Sequence, residues 1–167
     1  LQLKIEYMNG FLSESMSSTA TNDGRHSRNP SLRLTLGKRR DDWRGGADPE
    51  QIEARLAEDK GHEIKAVCVV HNETSTGSVS PIAEVRKAID RAGHPALFMV
   101  DTISGLASLE YKHDEWGVDV TVSGSQKGLM LPPGLSFNAA SAKAVAENKK
   151  AGLQRSYWDW EEMIGPN

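Results

Sequence analysis

Three short polar stretches hold the side chains that could do chemistry. The first is "VSGSQKGLMLPPG", Val122 to Gly134, where Lys127 stands among Gly124, Ser125, Gln126 and Gly128. Glycines on both sides of a lysine suit a tight backbone around something bound. In the second, "DTIS", Asp101 to Ser104, an aspartate closes an apolar run. A carboxylate so placed suits a metal or phosphoryl-transfer role, or serves as counter-ion to a buried cation. An aspartate there also serves simply to cap the loop that follows. The third is "HNETSTG", His71 to Gly77. It is rich in hydroxyls, although Asn, Ser, Thr and Gly all favour turns as well. His71 and His113 have no ligand spacing with each other or with Cys68, so no metal site is expected.

Each stretch follows a segment that reads as a strand. "EIKAVCVV" (Glu63 to Val70) is a short β-branched run of the kind found in buried strands. "ALFMVD" (Ala96 to Asp101) and "VDVTVSG" (Val118 to Gly124) are two more, and "GLSFNAA" is a fourth. Helices separate them. In "ADPEQIEARLAED", Asp48 is an N-cap, Pro49 the first helical residue and Gln51 lies three after the cap. In "SPIAEVRKAIDRAG", Ser80 is expected to cap and Pro81 to open a helix with Ile82, Val85 and Ile89 on one face, and Gly93 to close it. "SAKAVAENKK" is a last helix. Strand, helix, strand at this spacing is a βαβ unit, so the fold class is α/β with a mostly parallel sheet. Ligands of such sheets sit beyond the carboxyl ends of the strands, and the three polar stretches therefore describe one site.

The amino-terminal part has a different texture. Residues 11–30, "FLSESMSSTATNDGRHSRNP", have no period of 3.6 or 2 and read as loop or disorder. "LRLTL" (Leu32 to Leu36) alternates like a short strand and precedes the basic cluster Lys38, Arg39, Arg40. No aromatic interleaves with those charges, so a solvated tail is favoured over a nucleic-acid contact. The chain of 167 residues is long enough for one domain, and its hydrophobic content of 38% is low for a compact one. Net charge is -3 and the isoelectric point near 6.0, which gives no general pull toward nucleic acid or anionic membrane. No apolar run approaches membrane-spanning length. One cysteine, Cys68, inside an apolar run fits a reducing cytoplasm. The first residues lack a signal-peptide pattern, and the chain starts with Leu.

Taken together, "HNETSTG" and "FMVDTISGLASLEYKHDEWGVDVTVSGSQKGLMLPPGLSF" closely resemble class V pyridoxal-phosphate aminotransferases, of the serine–glyoxylate and alanine–glyoxylate branch. "SGSQKGLMLPPG" is similar to that branch's cofactor-lysine motif, and "SYWDW" near the end is similar too. The resemblance runs from about Asp42 to Met163 and rests on three motifs in the right order. It implies that residues 42–167 are the central part of the large, cofactor-binding domain of a fold-type I transferase. It implies pyridoxal 5'-phosphate as cofactor, small amino acids and 2-oxo acids as substrates, and a homodimer or higher homo-oligomer.

The resemblance also implies roles. Lys127 is the Schiff-base lysine and then the general base at the substrate Cα. Asp101 pairs with the pyridinium nitrogen and makes the ring an electron sink. Thr74, or its neighbour Asn72, hydrogen-bonds the phenolic oxygen. Ile103 packs on one ring face, and Gln126 and Ser125 lie toward the cofactor's polar edge. The family's subunit is more than twice as long. Its glycine-rich phosphate cup is expected ahead of the matched region, and a small domain with the substrate-carboxylate arginine after it. Residues 1–41 do not resemble the family, and an out-of-frame origin would account for them. Two other functions are weighed: a remnant that keeps the fold without activity, and a haloacid-dehalogenase-like phosphotransferase using Asp101. The latter class needs a second aspartate two residues on, where Ile103 stands.

Overall fold

The run Ile64–Val70 becomes a strand whose residues are buried on both faces except Lys65, as its β-branched composition requires. A computed structural model describes residues 4–7, 33–36, 44–151 and 159–165, the first two segments as backbone only. The strands are β1 (Lys4–Tyr7), β2 (Arg33–Leu36), β3 (Ile64–Val70), β4 (Leu97–Asp101), β5 (Val120–Gly124) and β6 (Ser136–Ala140). The helices are α1 (Pro49–Glu58), α2 (Ile82–Arg91), α3 (Ala142–Lys149) and α4 (Trp160–Ile164). The strand order is β2-β1-β3-β4-β5-β6. Every neighbouring pair is parallel except β5–β6, which is antiparallel.

The sheet agrees with the α/β, mostly parallel reading and extends it. β2 falls where "LRLTL" alternates, whereas β1 was not expected within an irregular 1–41. The segment 11–30 and the basic cluster Lys38–Arg40 lie outside the described residues, as does most of "SYWDW".

Helix α1 starts as expected. Asp48 Oδ1 accepts the Glu50 and Gln51 N–H groups at 3.0 and 3.4 Å, and Gln51 Nε2 donates to Asp48 Oδ2 at 2.8 Å. Helix α2 departs from expectation at its start. Pro81 takes the cap position and Ser80 makes no cap bond. The buried Ser80 hydroxyl donates instead to Val70 O at 2.7 Å and accepts the Ala47 N–H at 3.1 Å. It spends its bonding capacity tying the entry of α1 to the end of β3. Gly46 makes this possible, because a Cβ there would lie 2.5 Å from Val79 O. At the other end of α2, Gly93 takes a φ of 60° and lets the His94 N–H reach Ile89 O.

Ile82, Val85, Ala88 and Ile89 form the buried stripe of α2. They pack with Ile52 of α1 on Val67, Val69, Phe98, Val100 and Val118, and this is the core. Full burial of each large side chain contributes about 1.5–3 kcal/mol. Beneath the core, the buried Asp119 ties three elements together. Its Oδ2 accepts the Phe98 N–H at 2.9 Å and its Oδ1 accepts the Ser141 hydroxyl at 2.9 Å. Lys143 Nζ lies 3.3 Å and Arg86 3.9 Å from the same carboxylate. This network sits at the amino end of β5, away from the polar loops. Strand β6 is exposed along its length, from Ser136 to Ala139. Helix α4 has no counterpart in the sequence reading; Asp159 caps it by accepting the Glu161 N–H.

A candidate cofactor site at the carboxyl ends of three strands

The register brings the three polar stretches abreast. Val70 of β3 pairs with Asp101 of β4, and Asp101 with Val122 of β5. The loops that follow therefore leave the sheet side by side, where helix-connected parallel strands bind ligands.

Two sets of contacts join those loops. His71 N–H donates to Asp101 O at 2.8 Å, which carries the ladder one residue past β3. Asn72 Nδ2 donates to Ser104 Oγ at 2.9 Å, and Ser104 Oγ donates to Asn72 O at 2.8 Å. That reciprocal pair commits the Asn72 amide to Ser104. It favours Thr74, exposed in the turn from Glu73 to Gly77, as the hydroxyl open to a ligand. On the other side, Gly128 packs against the segment following Asp101. A Cβ on Gly128 would lie 2.1 Å from Leu106 O and 2.5 Å from Ser108 Oγ, so only glycine fits beside Lys127.

The predicted side chains face outward from this frame. Thr74, Ile103, Gln126 and Lys127 are exposed, and Asp101 is half-buried. Asp101 Oδ1 accepts the Ile103 N–H at 2.8 Å, which fixes the carboxylate over the strand end and leaves Oδ2 open. Lys127 O accepts the Met130 N–H at 2.9 Å in a turn where Met130 has a φ of 55°. Ala107, in the loop after β4, has a φ of 62°. Left-handed non-glycine residues of this kind collect at ligand-binding loops.

Ser125 is not where the sequence reading put it. It is fully buried, and its hydroxyl donates to Pro132 O at 2.6 Å inside its own loop instead of facing the cofactor's polar edge. His71 was also underread. It is buried against Tyr111 and Trp116, with ring centroids 5.3 and 6.4 Å away. Gly105 closes over it, since a Cβ there would meet Nδ1 at 2.6 Å. Burial holds the His71 imidazole below its ordinary pKa, so the ring is neutral. Burial likewise pushes the Cys68 thiol up to about 12, which makes it an inert core group. A groove of about 310 Å³ lies beside His71, bordered by Val79, Ile82, Glu84, Leu109 and Trp116. None of the five predicted residues lines it.

The loops that carry Lys127, Asp101, Ile103 and Thr74 thus leave the sheet at the carboxyl ends of neighbouring parallel strands. The chain belongs to the aminotransferase class-V family, whose model matches residues 33–152. That match begins ahead of Asp42, where the motif resemblance sets in. A serine–glyoxylate aminotransferase of Methylorubrum extorquens is 54% identical over 141 residues, covering 81% of this chain and 35% of that protein. An L-aspartate–glyoxylate aminotransferase of Paracoccus denitrificans is 49% identical over 121 residues, covering 72% of this chain and 31% of that protein. The crystal structure of an alanine–glyoxylate aminotransferase from Nostoc sp. superposes with a TM-score of 0.71 at 25% identity, over 98% of this chain and 40% of that one. The fold is thus part of a fold-type I aminotransferase, and the chain spans about a third of the length of the curated relatives it matches.

The family implies pyridoxal phosphate, and the donor set fits it. Lys127 is an exposed amine, Asp101 a half-buried carboxylate, Thr74 an exposed hydroxyl and Ile103 an exposed aliphatic side chain. Among the described residues, no helix is long and apolar enough to cross a membrane.

Proposed function

We propose that this chain carries the cofactor centre of a pyridoxal-phosphate-dependent aminotransferase that moves an amino group from serine, or alanine, to glyoxylate. The observation that carries the reading is the docking of the Lys127 loop, through Gly128, on the segment that follows Asp101. When bound, pyridoxal phosphate supplies an aldehyde that exchanges amines and a ring that accepts electrons. Lys127 would hold the cofactor through its aldehyde, and its amine would serve as the base that takes the proton from the substrate Cα. Asp101 Oδ2 would hold the proton on the ring nitrogen. Thr74 would donate to the phenolic oxygen, Ile103 would cover a ring face and exclude water, and Gln126 would border the polar edge. Ion-pair catalysis by Asp101 does not require a metal or a second aspartate, in keeping with Ile103 at the following position but one.

The 54% and 49% identical relatives are named for different amino donors, so the donor rests on the serine-type motifs. Exposed Met130, Leu131, Leu135 and Phe137 support a homo-oligomeric whole protein, in which apolar surface of this kind is covered. The buried Cys68 supports a cytoplasmic one. The working domain is 42–167, and the family match from residue 33 joins it to strand β2.

The test is covalent trapping. Treatment with pyridoxal phosphate and borohydride, followed by peptide mapping, is expected to label Lys127, and Lys127→Ala to lose that label. Label concentrated on a different lysine overturns the assignment.

A further inference from the structure

We propose that Ser125 is the positioning residue of Lys127, closing the base of the loop that presents the amine. This rests on the role given to Lys127 above. Ser125 is flanked by exposed Gln126 and Lys127, yet its own exposure is 0%. It makes four hydrogen bonds within one loop. Its N–H donates to Leu135 O at 3.1 Å and its carbonyl accepts the Leu131 N–H at 3.0 Å. Its hydroxyl donates to Pro132 O at 2.6 Å and accepts the Leu135 N–H at 3.3 Å.

These bonds shut the excursion from Gln126 to Gly134 at its base, just where β5 ends and β6 begins. Within the excursion, the turn from Lys127 O to the Met130 N–H depends on that closure, because Leu131 is held by Ser125 directly. Gly128 docks the far side of the loop on Leu106 and Ser108. Lys127 thus lies between a bonded base and a packed dock, with its own side chain exposed. The dock itself is a packing contact at Gly128. Without the Ser125 hydroxyl, Pro132 O and the Leu135 N–H lose their partner, and the base keeps only its two backbone bonds and loosens. An alanine has the right size for the site but cannot make either side-chain bond.

The experiment uses the 167-residue chain. Pyridoxal phosphate and borohydride are applied to the wild type, Ser125→Ala and Ser125→Cys, and label is counted at Lys127 against the exposed Lys87 and Lys112. Amide hydrogen exchange is followed at Leu131, Leu135 and helix α2. In Ser125→Ala the share of label at Lys127 is expected to fall roughly tenfold, with faster exchange at Leu131 and Leu135 and unchanged protection in α2. Ser125→Cys, which keeps the volume and weakens both bonds, is expected to fall between, and it takes the place of Ser125→Ala if that variant does not fold. An unchanged label share with unchanged exchange overturns the proposal. So does a loss of protection that spreads through α2, which would make Ser125 a general stabiliser. If wild-type label shows no preference for Lys127, the functional reading fails, and exchange at Leu131 and Leu135 still decides whether Ser125 closes the loop.

Discussion

In the role proposed for it, Asp101 would serve two demands with its two oxygens. Oδ1 is occupied by the Ile103 N–H, so the carboxylate is oriented before any ligand arrives. Asp101→Asn keeps the size and the turn but cannot stabilise a protonated ring nitrogen. In a full-length protein with these motifs, proton abstraction from the substrate Cα should slow on the order of a hundredfold. Loss of isotope exchange at that carbon measures it, and an unchanged rate contradicts the role. A second residue, His94, reports on stability. Its Nδ1 accepts the Ala96 N–H at 3.2 Å, so Nε2 carries the proton toward Asp59, 3.2 Å away. Protonating Nδ1 would break the bond to Ala96. Burial lowers the His94 pKa, His62 and Lys65 lower it further, and Asp59 only partly opposes them. A depressed folded-state pKa means stability is full above the ordinary value of 6.5 and is lost as pH falls through the depressed one. Buried His71 acts in the same window and direction. Urea midpoints should therefore drop between pH 7.5 and 5, and His94→Gln should flatten that slope without abolishing it.

At the scale of elements, legibility followed the range of the interactions. The α1 cap was readable because Asp48, Pro49 and Gln51 lie within four residues. The strands β3, β4 and β5 were readable from their apolar runs, and with them the shared edge that holds Asp101 and the Lys127 loop. Ser80 was misjudged because its partners, Val70 O and the Ala47 N–H, lie ten and 33 residues away. β1 escaped because four residues carry little pattern, and pairing with β2 and β3 decides its state. Ser125 looked like a site residue since nothing local says that Pro132 will come back to it. The same non-local logic makes the core fragile at its centre. Phe98 has no exposed surface and sits on the strand that ends in Asp101. Phe98→Ala should cost about 3–5 kcal/mol, read as a lower denaturant midpoint, and should disturb β4 before the loops. A loss under 1 kcal/mol would mean that the site collapses around the cavity or that the packing is looser than described.

Among the described residues, the sheet has an open side at β6. Strand β6 exposes its length, and the nearby loop exposes Met130 at 90% and Leu135 at 60%. An uncovered antiparallel edge beside apolar side chains templates pairing with another chain. The 167-residue chain should self-associate with concentration in sedimentation experiments, and Phe137→Lys should reduce this. It should not turn over serine and glyoxylate alone; turnover near the common enzyme rate of about 10 per second would show that the described centre suffices. The antiparallel direction of β6 has another result, in time instead of space. A parallel successor to β5 would need a long crossover before the Lys127 loop could shut. Here the closing contacts between Ser125 and Leu135 span only ten residues. The loop has low contact order, so its closure should be among the early folding events. Lys127 is then expected to be held in its turn before contacts of longer range form.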